Sequence, residues 1–137
     1  MNSEIQRLQN GIAVVLLAGD LDLAGLKQFK EEIKILIDEG SQKIIVDCRE
    51  LGKISSSGLA SLMWARALAG KVGGSIYLTH VSALVNDVLR VTKLSSLLKI
   101  ERSTRELLQK LSGIRKSPGK PRGRLRTSSV EYRSGKF

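Results

Sequence analysis

Ser55-Ser56-Ser57-Gly58 is the stretch whose residue types and placement could do chemistry. Three hydroxyls close a short loop and open the apolar run Leu59-Ala60-Ser61-Leu62-Met63-Trp64, which reads as a helix. The first turn of a helix has backbone N–H groups without intrahelical partners and carries a partial positive charge. A serine there can cap the helix with its side-chain oxygen. It can also accept a phosphoryl group, because the phosphate then lies where an anion is best tolerated. Capping alone and phosphorylation are the two readings, and the chain around the serines has to separate them.

Other reactive side chains are scattered. Cys48 closes a buried strand with no His or second Cys close by in sequence, so it reads as a small core residue. His80 stands alone at a strand end. Gly70-Lys71-Val72-Gly73-Gly74 lacks the spacing of a phosphate-binding loop and leads into a strand, where such a loop leads into a helix. No metal-ligand cluster, Ser/His/Asp set or pair of catalytic carboxylates emerges. The expectation is a protein without catalysis of its own and without a cofactor.

Those residues must be positioned by a small domain. The chain has 137 residues, 42% of them hydrophobic, which suffices for one core. With five aromatics (Phe29, Trp64, Tyr77, Tyr132 and Phe137) that core has to be aliphatic. The longest apolar run, 12–19, is far short of the roughly 20 residues of a membrane span. Met1-Asn2-Ser3-Glu4 lacks the shape of a secretory signal. A lone cysteine builds no disulfide framework. The expected location is the cytoplasm.

The net charge of +10 is uneven. Residues 113–137 hold eight Lys/Arg against Glu131 alone, whereas residues 1–112 carry 15 basic and 12 acidic side chains. The division expected is a domain over 1–112 and a basic, disordered tail over 113–137, rich in Gly, Ser and Pro. Arg122-Gly123-Arg124-Leu125-Arg126 suits nucleic-acid phosphates or an anionic membrane surface. A solubilising extension or a tether to an acidic partner is the alternative.

Residues 4–9 read as a strand, and Asn10-Gly11 as a two-residue hairpin turn. Ile12 to Ala18 runs without polar alternation, as a strand covered on both faces would. Gly19-Asp20-Leu21-Asp22 breaks it, and Asp22 is placed to cap a helix with Leu26, Phe29, Ile33, Leu36 and Ile37 at helical spacing. Residues 43–48 form a second buried strand, followed by a loop over 49–54, the serines, and a helix to about Ala69. A third strand spans 75–79. Ser82 caps a helix with Leu84, Val85, Val88 and Leu89 inward. A short peripheral strand spans 97–100, and Ser103-Thr104-Arg105-Glu106 has the form of a capping box ahead of Leu107, Leu108 and Leu111. Alternating strands and helices imply an α/β fold, a mainly parallel central sheet with an antiparallel edge strand and about four helices. Sites in such sheets lie beyond the carboxyl ends of the strands. Both the 19–22 and 49–57 connections are there.

Four stretches in this order resemble the STAS family, the small α/β domains of bacterial anti-sigma factor antagonists and sulfate-transporter tails. They are Gly19-Asp20-Leu21-Asp22, Lys43 to Asp47, Ser55-Ser56-Ser57-Gly58-Leu59 and Gly73-Gly74, and the resemblance covers about residues 4–111. In antagonist members the loop reads Asp-Ser-Ser/Thr-Gly-Leu, and the first serine after the aspartate is phosphorylated. By position that is Ser56, with Ser57 as second choice. The departure is Ser55, where the usual residue is Asp.

The resemblance implies a phosphoprotein that works by partner switching in signal transduction and transcription regulation. Unmodified protein binds an anti-sigma factor, itself a serine kinase of the histidine-kinase-like ATPase fold, and frees a sigma factor. Phosphorylation of Ser56 ends the complex, and a PP2C-type phosphatase restores it. Partner-binding positions implied are Asp20, Asp22, Ser55, Ser57, Gly58, Trp64 and Arg66, with core packing the alternative for Trp64. A phosphate adds about −1.5 to −2 charges beside Asp20 and Asp22, and each ~1.4 kcal/mol lost lowers affinity tenfold. Other readings keep the fold but make the chain a non-switching STAS scaffold subunit of a signalling or transport complex, or act through the tail.

Overall fold

The hairpin at Asn10-Gly11 is present in the computed structural model, which describes residues 1–112. Both turn residues have positive φ, 63° and 72°. They join β1 (Asn2–Arg7) to β2 (Ile12–Leu21) in antiparallel register, Ile5 opposite Val15. The chain continues through α1 (Leu23–Asp38), β3 (Lys43–Ile54), α2 (Ser56–Lys71), β4 (Ser75–Thr79), α3 (Ala83–Val91), a short 3-10 turn at Leu94–Ser96, β5 (Lys99–Glu101) and α4 (Thr104–Ser112). The five strands lie in sequence order, and every pair after the first is parallel. The expected mixed α/β sheet is the fold observed. The basic tail expected over 113–137 lies outside the described residues.

β2 is covered on both faces, as its unbroken apolar run requires. Ala13, Val15 and Leu17 face a core shared with Ile44, Val46, Ile76 and Leu78, and α1, α2 and α3 lie on this side. Phe29, Ile33 and Leu36 of α1 are fully buried at intervals of four and three residues. Each such side chain contributes roughly 1.5–3 kcal/mol, so burial of this stripe, more than helix propensity, holds α1 in place. The alternate residues Ile12, Val14, Leu16 and Ile45 face the other way and are covered by Leu107, Leu108 and Leu111 of α4.

Several expectations from the sequence change. The stretches 19–21 and 49–54 are not loops: β2 and β3 run on past the end of β4 and pair with each other, Gly19 opposite Leu51 and Leu21 opposite Ile54. Register shifts at 16/18 and 19/21 and a φ of +100° at Gly19 let polar, glycine-bearing sequence stay in the ladder. Leu84 is 62% exposed, not inward; α3 turns Val85 and Leu89 to the core, and Leu84 lies off that buried stripe. The edge strand begins at Lys99, because Leu97 closes the 3-10 turn. The capping box is half made. Ser103 Oγ accepts the Glu106 N–H at 3.0 Å, but the Glu106 carboxylate is drawn to the Arg102 guanidinium at 2.9 Å.

Candidate functional site

The paired extensions of β2 and β3 carry the serines. Their last ladder pair is Leu21 and Ile54, and the Ser55 N–H donates to the Leu21 carbonyl at 3.1 Å. The next residue on each strand is a helix cap. Asp22 accepts from Ala24 and Gly25 N–H at 3.1 and 3.3 Å and starts α1. Ser55, in extended backbone, accepts the Gly58 N–H at 3.1 Å and starts α2. Two helix N-termini therefore open side by side at the carboxyl end of the sheet, with their partial positive charges adjacent.

The three serines divide the work. The Ser55 hydroxyl is used twice, accepting from Gly58 and donating to the Leu21 carbonyl at 3.4 Å. Ser56 is the first helical residue and is exposed. Ser57 is half-buried. Gly58 is buried because a Cβ there would run into the Leu21 carbonyl and the Ile54 and Leu21 side chains. Behind it, the buried Ser61 hydroxyl donates to the Gly58 carbonyl at 2.7 Å, tightening the first turn.

Asp20 is exposed and acts on the backbone: its Oδ1 accepts the Lys53 N–H at 2.9 Å and lies over Gly52, where a Cβ would come within 2.7 Å of it. It holds the two extensions together just before the serines. Trp64 and Arg66 are eight and ten residues along α2 from Ser56, or about 12 and 15 Å at 1.5 Å per residue. Trp64 is half-buried against the core, with Lys30 Nζ 5.2 Å from its ring centroid, and Arg66 is exposed. The structure thus gathers Asp20, Asp22, Ser55, Ser56, Ser57 and Gly58, and sets Trp64 and Arg66 two to three turns away.

One residue of this end escaped the sequence reading. Leu23, the first residue of α1, is 73% exposed next to the Asp22 cap. Its signal was an apolar residue out of phase with the buried series Phe29, Ile33 and Leu36. Cys48 is buried, and desolvation, aided by Asp47, pushes its thiol up to about 12. Among the described residues no helix is long and apolar enough to cross a membrane.

Residues 6–99 match the family model described as "Mlab, STAS domain". The chain is 23% identical over 94 residues, 69% of its length and 81% of the relative's, to BtrV of Bordetella bronchiseptica, whose name places it provisionally among anti-sigma factor antagonists. Its fold matches the anti-sigma factor antagonist SpoIIAA in its unphosphorylated form, with a TM-score of 0.71 at 21% identity over 82% of this chain and 97% of that one. It also matches the Bacillus SpoIIAA in its phosphorylated form, with a TM-score of 0.65 at 20% identity over 80% and 99% of the two chains.

Proposed function

Since this chain belongs to the STAS-domain family, we propose that it is an anti-sigma factor antagonist switched by phosphorylation of Ser56, with residues 1–112 as its working domain. One observation carries the reading. Ser56 is the exposed hydroxyl at the start of α2, while Ser55 supplies the cap and Gly58 the close approach. Capping and acceptor chemistry are then assigned to different serines, so the acceptor can be modified without loss of the cap. The likeness to SpoIIAA, solved both unphosphorylated and phosphorylated, supports a fold that tolerates the modification.

In this reading the unmodified surface of Ser56, Ser57, Asp22 and Leu23 binds an anti-sigma factor that is a serine kinase of the histidine-kinase-like ATPase fold, acting in the cytoplasm. The phosphate stays within reach of the α2 N-terminal N–H groups, which stabilise it internally. A partner fitted to a neutral hydroxyl beside carboxylates meets added negative charge and a strongly hydrated group. A penalty of about 3 kcal/mol lowers affinity roughly 150-fold, enough to end a complex without refolding the domain. A PP2C-type phosphatase resets the switch. The chain is substrate and ligand, and it catalyses nothing itself.

Paired capture from native cell extract with Ser56→Ala and Ser56→Glu proteins tests this. An ATPase of the kinase type retained by the alanine protein and lost by the glutamate protein is the expected result. Identical partners on both would turn the reading to a non-switching STAS scaffold subunit. One observation favours that second reading: Ser55, in the position where the antagonist motif has Asp, presents no carboxylate beside the acceptor.

A further inference from the structure

A buried polar cluster ties α4 to the sheet, and its parts come from the middle of β3 and the end of β4, outside the serine site. Asp47 of β3, Thr79 of β4 and Thr104, the first residue of α4, are each fully buried. Thr104 Oγ1 donates to Asp47 Oδ2 at 2.8 Å, so the 2.6 Å contact between the two threonine hydroxyls is donated by Thr79. Arg49 folds back on the same carboxylate, with Nη2 3.1 Å from Oδ2 and its own N–H 3.0 Å from Oδ1. Asp47 is thereby paired with a guanidinium and hydrogen-bonded, as a buried carboxylate must be.

His80 completes the cluster. Its backbone is in the left-handed region, φ 54°, and its N–H donates to the Arg102 carbonyl at 3.3 Å, just before α4. Its Nε2 lies 3.1 Å from the Thr104 N–H and 3.1 Å from Arg49 Nη2. A backbone N–H and a guanidinium can only donate, so Nε2 must be the acceptor and the ring proton must sit on Nδ1. An imidazolium has no lone pair at Nε2. Protonation would set an N–H against two N–H donors, a positive ring against Arg49, and a cation at the positive end of α4.

We propose that His80 is a proton-operated latch on α4: the neutral ring holds the first turn of the helix to the sheet, and the protonated ring releases it. Asp47 and Arg49 face the ring from β3. From the α4 side come Arg102 and Glu106, paired with each other at 2.9 Å, and the exposed Arg105. Asp47 is the one of these that favours an imidazolium through the contacts above, and its oxygens already serve Arg49 and Thr104. The proton affinity of the ring is held below the ordinary imidazole value, chiefly by burial and further by Arg49, with Asp47 opposing. The latch is therefore closed at neutral pH and opens as pH falls below that value. Opening uncovers the face made by Ile12, Val14, Leu16 and Ile45, which is opposite α2, the helix that carries Ser56. Acidification would bare an apolar surface while the Ser56 site stays folded.

The test is an NMR titration of the full chain from pH 7.5 to 5.0, reading the His80 ring nitrogens together with amide hydrogen exchange corrected for intrinsic rates. At pH 7.5 the proton is expected on Nδ1. As the ring titrates, protection at Thr104 to Leu107 should fall at least tenfold while Val15 and Ile45 keep theirs. His80→Asn, which tolerates positive φ and cannot titrate, should show no such pH dependence. A proton on Nε2 at pH 7.5 would overturn the latch, as would α4 protection that does not change down to pH 5.0. Equal loss of protection across the whole domain, or an unchanged pH response in His80→Asn, would overturn it too.

Discussion

The carbonyl oxygen of Leu21 occupies the space that a side chain on Gly58 would need. That contact sets how closely the start of α2 approaches the end of β2, and with it where Ser56 stands. A methyl group at residue 58 meets backbone oxygen and the Ile54 and Leu21 side chains, none a free flexible tip. Gly58→Ala is expected to destabilise the domain by about 1–3 kcal/mol through overpacking. A urea midpoint equal to that of the unsubstituted protein would show that α2 can shift outward without loss.

Ser55 and Ser56 should behave differently when truncated. Ser55→Ala removes the acceptor for the Gly58 N–H and should lower stability by about 1 kcal/mol, whereas Ser55→Asp keeps a capping oxygen and should not. Ser56→Ala removes an exposed hydroxyl and should change stability by no more than about 0.5 kcal/mol. Thermal unfolding of the three proteins separates the cap from the acceptor. A larger loss at residue 56 than at residue 55 would reverse the assignment.

Asp20 is expected to act on the backbone as well as on any partner. Asp20→Ala leaves the Lys53 N–H without its 2.9 Å acceptor, and Asp20→Asn can keep one. The bond is exposed, so the loss should be modest, about 0.5–1.5 kcal/mol. Faster amide exchange at Lys53 in the alanine protein, restored in the asparagine protein, is the signature. Unchanged exchange in both would mean that the strand ladder alone holds the extension.

Cys48 should be inert in the folded protein. A thiol raised to about 12 is ionised in about one molecule in 10,000 at pH 8, and the side chain is 3% exposed as well. Labelling by an alkylating reagent should therefore report unfolding. The raised value also has a sign for stability. The contribution is fully present below the ordinary thiol range near 8.5 and is lost as pH rises toward about 12, because only the unfolded chain then releases the proton. Rapid labelling at pH 8 without denaturant would contradict the burial.

Phosphorylation of Ser56 should leave the fold unchanged. The helix N-terminus offers donors to the phosphate, and the cap belongs to the neighbouring residue. Amide NMR shifts confined to about residues 20–23 and 50–65 are expected after stoichiometric modification, and changes spread across β4 and β5 would show a rearrangement.

Much of this architecture could be read from local chemistry. Positive φ at Asn10 and Gly11, the caps at Asp22, Ser55 and Ser82, and the buried run of β2 all follow from short-range preferences. Residue type and neighbour spacing carry those preferences. The serines at a helix start were visible for the same reason. Pairing decided the rest. Residues 19–21 and 49–54 look like loops because glycine and charge interrupt them, and only each other's backbone makes them strands. Whether Leu84 points in or out depended on which side of α3 meets the core, and Val85 and Leu89 take that side. Asp47, Arg49, His80 and Thr104 are separated by up to 57 residues, with no spacing to announce them. The sequence by itself determined the elements, their order and the hydroxyls at the head of α2. Only the tertiary structure decided which serine caps and which is free, and which buried groups meet beneath α4, because those outcomes rest on contacts between distant backbone segments that no local preference encodes.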